Sequence, residues 1–234
     1  MRKILQILLL LITQIGFAQI PQHILKSSEK ITKYDKYAGS IYINNKFEQS
    51  TIIDESSKTY EAKLNYNIFT DAIEYETRTD LFELSKNPTT YARINNDYYY
   101  YCNFKTRRGA KRNGYYVLME LNDTYRIYKR FKVEITDPEE KENMPGSLTM
   151  GKIKMITKFY LEENQVIVEI PTSKKELLLT FEDKGEELKD YMKKEKIKLR
   201  KEEDLLRLVA KYNALKNMET NPSRSLLSST VRNN

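Results

Sequence analysis

Residues 98–120 read Tyr98-Tyr99-Tyr100-Tyr101-Cys102-Asn103-Phe104-Lys105-Thr106-Arg107-Arg108-Gly109-Ala110-Lys111-Arg112-Asn113-Gly114-Tyr115-Tyr116-Val117-Leu118-Met119-Glu120. Aromatic and β-branched residues suit a pleated, half-buried surface, so strands are expected from Tyr98 to Phe104 and from Tyr115 to Glu120. Gly109, Asn113 and Gly114 lie between them, and Gly and Asn tolerate the backbone angles of tight turns. The two runs therefore predict a hairpin with a basic tip. A third run from Tyr125 extends it. Tyr125, Ile127, Phe131, Val133 and Ile135 alternate with Arg126, Tyr128, Arg130, Lys132 and Glu134, and Lys129 is the one break in the apolar side. Alternation assigns Tyr98, Tyr100, Cys102 and Phe104 to the core, and Tyr99, Tyr101, Tyr116 and Tyr128 to the polar face.

Outward from this stretch the chain divides by period. Toward the N-terminus the period is two: Tyr60, Ala62, Leu64 and Tyr66 alternate with Glu61, Lys63 and Asn65, as in a strand with one buried face. Ala72 to Thr77 restarts the pattern after Phe69-Thr70-Asp71, which makes a second hairpin. Shorter strands are expected at Ser40 to Ile43, Thr51 to Ile53, Leu81 to Leu84 and Tyr91 to Ile94. Asp137 to Lys154, with two Pro and two Gly, reads as a long surface loop. Strands return at Met155 to Leu161 and Val166 to Ile170.

After Pro171 the period moves toward four. Ser173-Lys174-Lys175-Glu176 is a capping-box pattern at a helix start. A second helix is expected from Asp183 to Lys196. Lys201 to Met218 is the best helix, with Leu205, Leu208, Val209, Tyr212 and Leu215 in one stripe. Strands followed by helices predict an α+β fold: a curled antiparallel sheet at 39–171, then two to three helices packed on it at 172–218. A closed, ligand-holding barrel is the alternative arrangement of the strands. Residues 19–38 read as a loose lead-in and 219–234 as a disordered tail.

The start of the chain predicts export. Arg2 and Lys3 precede an apolar run from Ile4 to Ile15, and Gly16-Phe17-Ala18 places small residues where signal peptidase cuts, before Gln19. The run is shorter than the roughly 20 apolar residues that span a bilayer. No Cys follows it, so a lipoprotein is not expected, and no later apolar run is long enough to cross a membrane. Loss of Arg2 and Lys3 with the leader lowers the net charge from +7 to +5. Cys102 is the single cysteine, so no disulfide forms within the chain and the core must supply the stability.

Several pieces resemble a group of uncharacterised exported proteins of Bacteroidota. They are Gly39-Ser40-Ile41-Tyr42-Ile43-Asn44-Asn45-Lys46-Phe47, Leu64 to Tyr75, Gly114-Tyr115-Tyr116-Val117-Leu118, Tyr125-Arg126-Ile127-Tyr128-Lys129-Arg130, Leu199 to Leu205 and Lys211-Tyr212-Asn213. The resemblance implies an exported β-rich protein and carries no established activity. Without a C-terminal sorting domain like those of some proteins of that group, the periplasm is favoured over secretion.

Most catalytic chemistry lacks its residues. With one His and one Cys, far apart, a zinc site built from these ligands is excluded, and His23 lies in the lead-in, which disfavours a Ser-His-Asp or Cys-His system. No Gly-rich phosphate loop is present. Glu74 and Glu76 on one strand face, and Asp137, Glu139, Glu140 and Glu142 in one loop, keep open a carboxylate-dependent hydrolase. A small-ligand carrier in a β cavity is a further alternative. The favoured reading is a non-enzymatic protein that binds or scaffolds an envelope component, an anionic polymer or a protein, with no cofactor, no metal and no nucleic acid. Its candidate binding residues are Lys105, Arg107, Arg108, Lys111 and Arg112 at the hairpin tip, with Arg126, Tyr128, Arg130 and Lys132 on the third strand. Tyrosine beside Arg or Lys suits anionic polymers through stacking and charge-assisted hydrogen bonds.

Overall fold

A computed structural model describes residues 20–55, 58–141 and 144–220. The expected leader with its cleavage site, and all but the first two residues of the expected tail at 219–234, lie outside the described residues. Among those described, the paired strands are antiparallel and three helices follow them, so the fold is α+β as expected. The strands are β1 (Leu25–Ser28), β2 (Glu48–Ile53), β3 (Thr59–Asn67), β4 (Ala72–Glu76), β5 (Leu81–Leu84), β6 (Tyr91–Ile94), β7 (Asp97–Lys105), β8 (Lys111–Leu121), β9 (Arg126–Thr136), β10 (Glu140–Lys141), β11 (Met144–Leu148), β12 (Lys152–Glu163) and β13 (Val166–Ile170). The helices are α1 (Lys174–Thr180), α2 (Gly185–Lys194) and α3 (Glu202–Thr220).

The chain forms two compact units. The first runs to Leu118 and resumes over Lys129–Thr157. Within it the strands lie in the order β1-β5-β4-β3-β2-β6-β7-β8. β1 ends this row with β5 as its neighbour on one side, so the row is open and the closed barrel is excluded.

Register builds the core of this unit. Tyr60 faces Ile52, Ile52 faces Ala92, Ala92 faces Tyr99, and Tyr99 faces Val117. All five are buried, so one row of side chains crosses β3, β2, β6, β7 and β8. Leu64, Tyr66, Ile73, Leu84, Tyr115 and Phe131 fill the same cluster. At roughly 1.5–3 kcal/mol per fully buried large apolar side chain, such rows carry the stability of a chain whose single cysteine can form no internal disulfide.

The apolar side of β3 is found as expected, with Tyr60, Ala62, Leu64 and Tyr66 buried, but on the side expected to be wet only Glu61 and Lys63 are exposed and Asn65 is buried. That of β7 is reversed. Tyr99 is 2% exposed and Tyr98 37%. Tyr101 packs on the core cluster beside Tyr99, and Phe104 is buried on the other face, edge-on to Tyr116 at 5.1 Å. Tyr98 to Cys102 has no polar residue, so nothing local sets its register; pairing with Ala92 and Val117 does.

Three local expectations change. The polar lead-in carries β1, because backbone pairing with β5 needs no apolar side chains. Ser40 to Ile43 makes an isolated bridge from Tyr42 to Asn67 in place of a strand. The loop 137–154 contains the short hairpin β10–β11 and the start of β12.

The second unit comprises Met119–Tyr128 and the chain from Lys158. There β12 pairs β13, and Ile127, Phe159, Leu161 and Ile170 join the helices in one core. Leu177 and Phe181 come from α1 and its end, Leu188 and Met192 from α2, and Leu205, Leu208, Val209 and Tyr212 from α3. The expected stripe of α3 is thus buried, with Leu215 partly so. Ser173 does occupy the N-cap position of α1, but its side chain makes no capping bond. No helix among the described residues is long and apolar enough to cross a membrane.

Candidate functional site

The β7–β8 hairpin places the basic tip as the sequence predicts. Lys105 lies opposite Lys111, and Phe104 opposite Arg112. The turn closes through Thr106, whose N–H donates to the Ala110 carbonyl at 2.9 Å and whose hydroxyl accepts from the Ala110 N–H at 3.1 Å. Gly109 has φ +80°, a conformation that favours glycine. Lys105, Arg107, Arg108, Lys111 and Arg112 are all exposed. Among the described residues none of the five forms an ion pair with a carboxylate.

Of the residues expected on the third strand, Arg126 and Lys132 are exposed, whereas Tyr128 and Arg130 turn inward. Arg130 is largely buried, its side chain 17% exposed, and Nη2 lies 3.0 Å from Asp71 Oδ2. Its Nη1 donates to Tyr116 Oη at 3.2 Å, and its guanidinium stands 4.9 Å from the Tyr116 ring centre. Asp71, in a left-handed conformation at the β3–β4 turn, also accepts from Tyr66 Oη at 2.6 Å and from the Tyr115 N–H at 3.2 Å. Burial disfavours the Arg130 charge, but Asp71 and Tyr116 outweigh it and raise its pKa. Arg130 is a structural cation bound into a network.

Arg126 belongs to the second unit and pairs with the buried Glu162 at 3.1 Å. Tyr128, in the same unit, is buried. Lys132 is exposed. The tyrosines expected outside with them, Tyr99, Tyr101 and Tyr116, are buried or half-buried in the first unit. Arg130 and the tyrosines are drawn inward because a tyrosine ring is large and apolar, and its hydroxyl finds a partner in the fold. Of the candidate binding residues, the five at the hairpin tip remain outward, as do Arg126 and Lys132 on the third strand.

A polar cluster on β3 and β4 joins Glu74, singled out in the sequence, to Asn65, Asn67 and Tyr42, whose part in it the sequence does not announce. Asn65 and Glu74 are cross-strand partners, both buried, on the side of the sheet opposite Leu64 and Ile73. Glu74 accepts from Tyr42 Oη at 2.8 Å and from Asn67 Nδ2 at 2.9 Å. Burial raises the Glu74 pKa, and the two donors oppose the rise. Burial also raises the Tyr42 pKa, with the bond to Glu74 adding to it. Asn65 Oδ1 accepts from the Asn44 N–H at 3.2 Å, while its Nδ2 donates to the carbonyls of Asn44 and Lys46. The available signal was Asn65 and Asn67 standing at polar positions beside Glu74 in a hairpin. Glu76, which the hydrolase alternative would pair with Glu74, is exposed. In the acidic loop, Asp137 accepts from Tyr37 Oη at 2.7 Å and Glu142 lies outside the described residues.

Compared with known proteins, the chain matches no family model, no curated protein and no solved structure.

Proposed function

We propose that the protein is an exported, periplasmic, non-enzymatic binding protein that holds an anionic envelope polymer through the β7–β8 hairpin tip. The observation that carries this reading is the exposure of Lys105, Arg107, Arg108, Lys111 and Arg112 on one hairpin, with no intramolecular carboxylate partner among the described residues. Uncompensated cations on a short turn attract a polyanion. The leader pattern at Arg2 to Ala18 and the resemblance to exported Bacteroidota proteins support the location.

The test replaces Arg107, Arg108, Lys111 and Arg112 with Ser and measures binding to purified lipopolysaccharide by biolayer interferometry at low and physiological salt. A basic side chain near an anionic surface contributes about 1 kcal/mol, so loss of four weakens binding by up to about 4 kcal/mol and flattens its salt dependence. Binding unchanged by the fourfold substitution would refute the role of the tip.

A further inference from the structure

The pinned segment after Tyr42 forms one wall of a second candidate site. Tyr42, Asn45, Lys46 and Phe47 line a cleft of about 320 Å³ together with Lys30, Asn65 and Glu76. The Tyr42 and Phe47 rings stand 6.1 Å apart, tilted by 55°. Two buried polar side chains fix this wall: Glu74 holds the Tyr42 hydroxyl, and Asn65 holds the backbone at Asn44 and Lys46. Burying a carboxylate is costly, and here it orients an aromatic residue of the cleft. Lys30, Glu76 and Leu81 also line an adjoining cleft of about 350 Å³, with Ser27, Ser28 and Arg78 on its walls.

We infer that this cleft binds a carboxylated sugar ring, such as a uronic acid unit. Its volume is at the lower end of ligand sites, which suits a small ring rather than an extended drug-like molecule. Aromatic side chains offer an apolar surface to the C–H face of a pyranose, and Asn45 offers both a donor and an acceptor to its hydroxyls. Lys30 and Lys46, both exposed, outnumber the one carboxylate of the lining, Glu76, and supply the countercharge for a ligand carboxylate. The adjoining hydroxyl-lined cleft leaves room for the next unit of a chain. The inference is independent of the hairpin tip.

The experiment titrates the full protein with glucuronate, glucose and acetate separately, and follows backbone amide NMR shifts. Saturable shifts with glucuronate at Tyr42, Asn45, Lys46 and Phe47 are expected, with glucose and acetate each at least about tenfold weaker. Phe47→Ala, and Lys30→Ser combined with Lys46→Ser, should each weaken glucuronate by at least about tenfold while leaving the remaining spectrum in place. The fourfold hairpin variant should bind glucuronate like the wild type. Absence of saturable shifts, acetate or glucose matching glucuronate, shifts centred elsewhere, or insensitivity to both variants would overturn the assignment.

Discussion

Asp71 and Arg130, 59 residues apart in the chain, meet at 3.0 Å and join the β3–β4 turn to β9. The pair explains why Arg130 is absent from the outer basic surface. Removing one partner of a buried pair strands the other charge, at a cost of about 3–5 kcal/mol. Because both side chains keep some exposure, Asp71→Ala and Arg130→Ala should each destabilise by about 3 kcal/mol, at the low end of that range. Urea denaturation would measure this, and the double variant should lose less than the sum of the singles.

Gly114 is the opening through which that pair reaches β8. A Cβ on it would lie 2.2 Å from Arg130 Nη2 and 2.5 Å from Asp71 Oδ2, and its φ is +147°. Gly114→Ala should therefore destabilise by more than about 1 kcal/mol. In an Arg130→Ala background the penalty should shrink to the backbone part alone. An equal penalty in both backgrounds, measured by denaturation, would show that the contact with Arg130 is not the cause.

Glu74 gives a pH signature. Its carboxyl titrates above the ordinary glutamate range because burial disfavours the anion, with Glu83 and Glu76 acting in the same direction and Tyr42 and Asn67 opposing it. The folded state then keeps its proton to higher pH than the unfolded chain. Stability from this group falls as pH rises from about 4.3 through the folded value, then levels off. Glu74→Gln should abolish that slope and be at least as stable as the wild type at neutral pH. Thermal unfolding across pH 4 to 8, at roughly unit steps, would detect it.

The reversed face of β7 separates neighbouring tyrosines. Tyr99→Ala should cost about 3–5 kcal/mol, the range for emptying a large aromatic site, and Tyr98→Ala less than about 1 kcal/mol, as for an exposed position. Comparable losses in chemical denaturation would contradict the register in which Tyr99 faces Ala92 and Val117.

The proposed export makes a separate prediction. Protein recovered from a bacterial periplasm should begin at Gln19, which N-terminal sequencing would read. An intact N-terminus on cytoplasmic protein would refute the leader.

The fold was legible where one residue type alternated with another. Tyr60 to Tyr66 identified β3 and its buried face, and Leu205 to Tyr212 identified the stripe of α3, because each pattern is set by a periodicity local to the chain. Polar β1 was hidden, since strand pairing is made by backbone groups that every residue carries. The hairpin tip was legible as a run of Lys and Arg around Gly109. The clamp on Tyr42 was not, because Asn65 and Glu74 are brought together by β3–β4 register, and Tyr42 is 32 residues from Glu74.

By itself, then, the sequence determined the α+β class, the helices, most strands and the basic hairpin, all consequences of short-range pattern and turn chemistry. Only the tertiary structure decided which tyrosines face inward, that Arg130 belongs to Asp71, and that a buried carboxylate positions Tyr42 over a cleft. In a run such as Tyr98 to Cys102 both faces are apolar enough to be buried, so the partner strands make the choice.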